Sequence, residues 1–211
     1  MKIAVYANED LKKELLAQDL QGSTLIEWSD DLKNLLKQTD AAVFIDLLFD
    51  GSMERINLLK SLLPRPVIVN SVITTADKLP EQFIRINGWN TFLKRAVIEV
   101  SGRDEKMKMQ AEEIFARFNK KVEWVPDIPG FFSARIIAMI INEAYFALQE
   151  EVSSKEEIDT AMKLGTNYPY GPFDWSKKIG LKNVYELLVS LTQYNKSYEP
   201  AALLKKEALY K

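Results

Sequence analysis

Short apolar runs of strand length alternate with helical patterns from the first residues up to Val125. Lys2 to Ala7 is such a run, and Asn8 stands where it caps a helix over Asp10 to Leu20 with apolar positions at Leu11, Leu15 and Leu16. Thr24 to Trp28 predicts a second strand, Asp31 to Lys37 a helix, Ala41 to Leu47 a third strand, Met53 to Leu63 a helix and Val67 to Asn70 a fourth strand. After Thr75 to Leu79 come strand-like Phe83 to Ile86 and Ala96 to Val100. A charged amphipathic helix over Arg103 to Phe118 and a last strand at Lys121 to Val125 follow. Strands that alternate with helices predict a parallel, doubly wound sheet, here with short connections.

The pattern changes after Pro126 to Pro129, which divides the chain into an α/β part, 1–126, and an all-α part, 127–211. From Phe131 to Leu148 the residues are apolar almost all round, interrupted by Ser133, Arg135, Asn142 and Glu143. That predicts a long helix buried on most of its circumference. Ser153-Ser154-Lys155-Glu156-Glu157 places a serine cap before first-turn acids, so a new helix opens there and ends near Gly165. Tyr168 to Phe173 is an aromatic and proline turn, with Pro172 suited to the first position of a further helix.

The ordered combination is Pro129-Gly130-Phe131-Phe132 with Arg135, then Asn142-Glu143-Ala144, then Ser154 through Gly165, then Tyr168-Pro169 and Gly171-Pro172-Phe173. It closely resembles the carboxy-terminal domain of the 3-hydroxyacyl-CoA dehydrogenases. The resemblance is densest over Pro129 to Leu181, extends over Asn70 to Lys211, and reaches the earlier residues only in the order of strands and helices. It implies a short Rossmann-like parallel-sheet domain followed by a helical domain that pairs two subunits and walls an acyl-CoA cleft. A homodimer and an acyl-CoA ligand are therefore the expected partners. The aromatic cluster of Tyr168, Tyr170, Phe173 and Trp175 is expected to be core or subunit interface. Asn142 and Glu143 are expected to bond neighbouring backbone or the domain interface.

Charge narrows the partners. A net charge of -2 and a pI near 5.5 argue against nucleic acid. The basic pairs Lys12-Lys13, Lys120-Lys121, Lys177-Lys178 and Lys205-Lys206 are expected to be solvated surface. Met1-Lys2 leads directly into a strand-like run, and no apolar run approaches about 18 residues. A cytoplasmic protein without a membrane partner is therefore expected. There is no cysteine, which excludes thiolate chemistry, and no histidine.

A dinucleotide-binding sheet follows its first strand with G-x-G-x-x-G, because only glycine lets the backbone approach the pyrophosphate at the helix amino terminus. The corresponding turn here is Tyr6-Ala7-Asn8-Glu9-Asp10, and the first glycine is Gly22. Glu9 and Asp10 satisfy the helix dipole and repel phosphate. No cofactor is expected on this reading; NAD returns only if the site works in another way. Glu27, near the end of the second strand about 20 residues after the first, is the one remnant of cofactor binding, in the place that often holds an acid for the ribose hydroxyls. Asp46 is expected to be a turn or surface acid.

The dehydrogenases that the chain resembles use a histidine base oriented by a glutamate, with a serine and an asparagine near the substrate oxygen. Their H-F-F-N-P is similar to Asn87-Gly88-Trp89-Asn90-Thr91, which puts Asn87 at the base position and leaves Asn90 in place. Their glutamate corresponds to Glu99, and a carboxylate inside an apolar strand needs a partner. The S-N-T-S-S turn resembles Val69-Asn70-Ser71-Val72-Ile73, so Asn70 matches and the serine falls on Val72, or on Ser71 after a gap. The family asparagine falls on Ala134. An amide cannot take and release a proton near neutral pH. Glu99 could act alone as a base, with Asn87 or Asn90 bonding a carbonyl, or it could be satisfied by Asn87 or by backbone.

The resemblance thus implies a homologue degenerate for NAD-dependent dehydrogenation that keeps acyl-CoA binding or dimer assembly. The alternatives are an oxidoreductase of fatty-acid metabolism with a rearranged site, and a structural partner of another protein.

Overall fold

The computed structural model describes residues 1–210. The chain divides into two compact units, Met1–Phe131 and Phe132–Lys211. The division lies past the expected boundary because Asp127, Ile128 and Phe131 all contact Arg85, in the first unit.

The first unit is one seven-stranded sheet in the order β2-β1-β3-β4-β5-β6-β7. Its strands are β1 (Lys2–Tyr6), β2 (Leu25–Ser29), β3 (Val43–Asp46), β4 (Val67–Asn70), β5 (Phe83–Ile86), β6 (Val97–Ser101) and β7 (Lys121–Trp124). Four helices join them: α1 (Glu9–Leu15), α2 (Leu32–Leu36), α3 (Met53–Lys60) and α4 (Glu105–Arg117). Ile3, Val5, Val43, Ile45 and Ile68 turn to one face and pack under α1 and α4. Ala4, Phe44, Val67 and Val69 turn to the other and pack under α2 and α3, as the two-residue period of a strand requires. Such a residue, buried on both sides, contributes roughly 1.5–3 kcal/mol, so these central strands are the stable part of the unit.

The sequence pattern predicts a parallel sheet, and one strand pair departs from it. β1 to β5 run in parallel, but β6 is antiparallel to β5, with Arg85 opposite Ser101, and β7 then runs parallel to β6. The cause is the connection: residues 87–96 form turns and no crossover helix, so the chain can only come back beside β5. Helix α1 also stops at Leu15, short of the expected Leu20.

The second unit consists, among the described residues, of α5 (Ser133–Gln149), α6 (Lys155–Thr166), α7 (Pro172–Ile179), α8 (Leu181–Thr192) and α9 (Ala202–Tyr210), with a short 3-10 turn at Lys196–Tyr198. Ser154 and Glu157 form a reciprocal capping box that opens α6. Helix α7 has Pro172 in its first turn and no side-chain cap on Gly171; instead the buried Asp159 carboxylate of α6 accepts from the amides of Phe173 (2.8 Å) and Asp174 (3.0 Å). Gly171 is required there, because a Cβ would lie 2.3 Å from that carboxyl. Trp175 is core, with the rings of Tyr168 and Tyr170 edge-on at 5.4 and 5.9 Å.

Helix α5 corrects the expectation of nearly complete burial. Its buried stripe is Ala134, Ile137, Ala138, Ile141, Asn142, Ala144 and Tyr145, while Ile136 stays 57% exposed and Glu143 is exposed. Asn142 is structural: its amide donates to Glu199 O (2.9 Å) and accepts from Ala201 N (2.8 Å). Arg135 donates to the Tyr198 hydroxyl, so α5 clamps the segment before α9 from two turns.

Candidate functional site

In the sheet order the chain steps from β1 to β2 on one side and to β3 on the other. A doubly wound fold binds its ligand at that reversal, outside the carboxyl ends of the strands. Tyr6 closes β1, Asp46 closes β3, and the two are register partners. Arg55, in the first half of α3, reaches both: its Nε and Nη2 each lie 2.7 Å from an Asp46 carboxylate oxygen, and its guanidinium stacks 4.8 Å from the Tyr6 ring. Asp46 also accepts from Leu48 N at 3.0 Å. It is therefore a buried, forked ion pair rather than the expected surface acid, because Arg55 brings the counter-charge that burial demands. Burial works against the Arg55 charge, yet the Asp46 carboxylate outweighs it and holds the guanidinium above its ordinary range.

At the head of α1, Asn8 Oδ1 accepts from Leu11 N at 2.9 Å, and the Glu9 carboxylate pairs with Lys12 at 2.7 Å. These residues do not fit a nicotinamide dinucleotide. The turn has no glycine, the helix end is capped and acidic, and Arg55 and Lys12 are each already paired with a carboxylate. Glu27 departs from its expected place too. It is the middle residue of β2, and it lies 3.7 Å from Lys2, which also holds Asp40 at 2.8 Å. Lys2 opens β1 and Asp40 precedes β3, so Glu27 is drawn toward the amino ends of the strands, away from the crevice.

The residues aligned with the family's catalytic groups gather at the carboxyl ends of β4 and β5, beside β6. Asn87, just past β5, donates from Nδ2 to Glu99 Oε2 at 2.8 Å, and the Asn87 backbone N–H donates to Glu99 O at 3.1 Å. Where the relatives are expected to pair an imidazole with a glutamate, this chain pairs an amide with it. Asn70 donates to Leu47 O (3.0 Å) and accepts from Gly88 N (2.9 Å), binding the ends of β3 and β5 together. A Cβ on Gly88 would lie 2.8 Å from the Asn70 side chain, so only glycine permits this approach. Ser71 is buried and donates to Thr74 O at 2.8 Å. Asn90 lies three residues after Asn87, half-buried in the turns that follow. The structure thus brings Asn87, Glu99 and Asn70 together, keeps Ser71 next to Asn70, and leaves Glu27 elsewhere.

The segment after Asn87 is fastened from below. The Glu14 carboxylate of α1 accepts from Thr91 N (2.6 Å), where Thr91 holds a left-handed backbone, φ 78°. Gln18 donates to Lys94 O at 3.1 Å. Lys120, expected on the solvated surface, is 4% exposed and donates to Leu93 O (2.6 Å) and Arg95 O (2.8 Å). Burial lowers its ammonium to about 8.

A second anchor lies under the Ser71 turn. Arg85 of β5 is fully buried; it donates to the carbonyls of Ser71 (2.9 Å), Val72 (3.0 Å) and Ile128 (3.2 Å) and to Asp127 Oδ1 (2.7 Å). Its guanidinium lies 4.1 Å from the Phe131 ring. Asp127 further accepts from Ala76 N (2.8 Å) and Asp77 N (3.1 Å). Burial alone would raise its carboxyl, but those amides and Arg85 hold it below the usual carboxylate range. Sequence reasoning passed over Arg55 and Arg85 and placed Lys120 on the solvated surface. The available signal was an arginine inside the otherwise apolar strand run Phe83-Ile84-Arg85-Ile86, which has to be paired if it is buried.

Fold and site define a class: a doubly wound sheet domain with a glycine-free first turn, joined to a helical domain. Residues 130–210 match the family model for the 3-hydroxyacyl-CoA dehydrogenase, C-terminal domain. The 3-hydroxyadipyl-CoA dehydrogenase of Escherichia coli K12 is 34% identical over 177 residues, covering 82% of this chain and 34% of that protein. A 3-hydroxybutyryl-CoA dehydrogenase of Bradyrhizobium diazoefficiens is 32% identical over 139 residues, covering 64% of this chain and 47% of the relative. This chain therefore spans between a third and a half of the length of these two curated relatives. Among solved structures, the (S)-3-hydroxybutyryl-CoA dehydrogenase PaaH1 of Ralstonia eutropha shares the fold with a TM-score of 0.74 at 19% identity, covering 97% of this chain and 92% of that one. Mycobacterium tuberculosis FadB2 shares it with a TM-score of 0.76 at 16% identity and the same coverage. The chain belongs to the 3-hydroxyacyl-CoA dehydrogenase family.

Proposed function

We propose that this protein does not perform NAD-dependent dehydrogenation and keeps, from its family, the binding of acyl-CoA thioesters. The observation that carries the reading is the Asn87–Glu99 pair: an amide holds the position of the base, and no histidine exists in the chain to replace it. Asn87 cannot accept a proton from a 3-hydroxyl at neutral pH, so hydride departure has no partner for the proton it leaves behind. The crevice at β1 and β3 supports the same conclusion, since Arg55 and Asp46 neutralise each other where a pyrophosphate would need free amides. Three relatives are named as dehydrogenases of 3-hydroxyadipyl-CoA or 3-hydroxybutyryl-CoA, which favours a short-chain 3-hydroxyacyl or 3-oxoacyl thioester as the retained ligand.

Association of two copies through the helical unit belongs to this reading. Ile136 of α5 and Val189 of α8 stay 57% and 42% exposed, apolar surface of the kind a second copy covers.

Thermal unfolding with NADH and with acetoacetyl-CoA tests the reading, because a ligand that binds only the folded state raises the melting temperature. A rise with the thioester and none with NADH is expected. Stabilisation by NADH would overturn the loss of cofactor; no response to any CoA ester would overturn the retained binding and favour a structural partner.

A further inference from the structure

We propose that two copies of this chain meet at the groove between α8 and the start of α9, with Tyr194 of each copy seated in the groove of the other, a contact that rests on the pairing of copies proposed above. The groove has a volume of about 380 Å³. It is lined by Tyr185, Val189 and Thr192 from α8, and by Glu199, Pro200 and Lys205 from the start of α9 and the residues before it. Residues 185, 189 and 192 follow one another at steps of four and three, so they share one face of α8. Val184, Leu187, Leu188 and Leu191 form the buried face of that helix. The groove face is a second one that the chain itself leaves uncovered, with Val189 42% exposed.

The wall around Pro200 is ordered before any partner arrives. The Asn142 side chain donates to Glu199 O at 2.9 Å and accepts from Ala201 N at 2.8 Å, so it grips the chain on both sides of Pro200, whose ring fixes its own φ. A wall already held in place loses little conformational freedom on association.

Two observations select a second copy as the occupant. Tyr194 follows directly on Gln193, which also lines the groove, and it is 68% exposed although its backbone is held by a bond from Tyr194 N to Leu191 O at 2.9 Å. A large ring left in water beside a groove that it does not fill is what a two-fold axis uses: knob and hole lie on one patch, and each is used twice. The second observation is charge. Among the described residues neither the Glu199 carboxylate nor the Lys205 ammonium makes an ion pair. A two-fold axis sets Glu199 of one copy against Lys205 of the partner subunit and repeats the contact in reverse. A wholly acidic or wholly basic partner would oppose one of the two charges with its like.

Sedimentation equilibrium of the full chain at pH 7 tests the contact, and a single substitution acts twice in a two-fold interface. Tyr194→Ala is expected to raise the dimer dissociation constant about tenfold or more. Lys205→Glu and Glu199→Lys each place like charges face to face and should weaken the dimer about tenfold. Combining the two restores opposite charges and should bring the constant back to within about threefold of the unaltered chain. All three side chains are exposed, so the variants should fold, which circular dichroism checks. A dimer that none of the single changes weakens overturns the groove contact and leaves the pairing of copies standing. A combined variant as weak as the single ones overturns the reciprocal charge contact. A chain that is monomeric throughout overturns the pairing itself, and the groove contact with it.

Discussion

Replacing Asp127 with alanine should damage the first unit more than its partly exposed position suggests. The Arg85 side chain is fully buried, and Asp127, with 27% of its side chain exposed, is its counter-ion. Breaking a buried pair by removing one partner costs roughly 3–5 kcal/mol, because the remaining charge stays desolvated. Here the carbonyls of Ser71, Val72 and Ile128 still accept from Arg85, which moves the cost to the lower end, about 3 kcal/mol. Ala76 N also loses its acceptor, which adds about 1 kcal/mol; Asp77 N reaches water. The expected loss is about 3–4 kcal/mol. Urea unfolding followed by tryptophan fluorescence reads it, since Trp28, Trp89 and Trp124 lie in the first unit and Trp175 in the second. Adding Arg85→Met should recover part of the loss, because the uncompensated charge is then gone. A change in Asp127→Ala below about 0.5 kcal/mol, or a double variant that loses the full sum of the two single changes, would show that Arg85 does not depend on Asp127 for its charge compensation. The sign with pH follows from the carboxyl held below its usual range. The pair stabilises above the ordinary aspartate pKa, and that contribution disappears as pH falls through the lowered folded value.

Lys120 gives the opposite slope. Its folded ammonium titrates at about 8 against an ordinary 10.5, so between those values the unfolded chain binds more protons and stability should rise with pH. By linkage the rise is at most about 3 kcal/mol, and melting curves of Lys120→Met, compared with the unaltered chain from pH 7.5 to 10.5, should lack it. In the helical unit, Asp159→Ala removes the acceptor from the first two free amides of α7 and should cost about 1–3 kcal/mol, read as an earlier Trp175 transition in urea; no shift would contradict the capping role. Sedimentation should show a dimer that Ile136→Asp weakens by tenfold or more, and a monomer at micromolar concentration would overturn the pairing of two copies.

The alternation of strand and helix was readable because buried central strands are written as uninterrupted apolar runs such as Ile3-Ala4-Val5 and Val67-Ile68-Val69. The caps at Asn8 and Ser154 and the helix start at Pro172 were readable because each is a local effect of a few residues. Strand direction at β6 was not, since it depends on residues 87–96 failing to form a crossover, and periodicity carries no sign of direction. Burial of charge was the other gap. Asp46 and Lys120 look like surface residues and Arg85 shows no partner nearby in sequence, and each is buried because a partner elsewhere in the chain satisfies it: Arg55, the carbonyls of Leu93 and Arg95, or Asp127. At the candidate site the residue identities were available from the chain alone. The amide oxygen left without a partner on Asn87 was not, because it results from how Glu99, Asn70 and Ser71 are placed.

An amide paired with Glu99, on the function proposed above, leaves this family member without hydride chemistry. Deuterated NADH incubated with acetoacetyl-CoA and the protein, with the thioester analysed by mass spectrometry, tests it most directly. No deuterium is expected at C3 above the protein-free control, while 3-hydroxybutyryl-CoA still raises the melting temperature. Protein-dependent transfer of the label to C3 would contradict it.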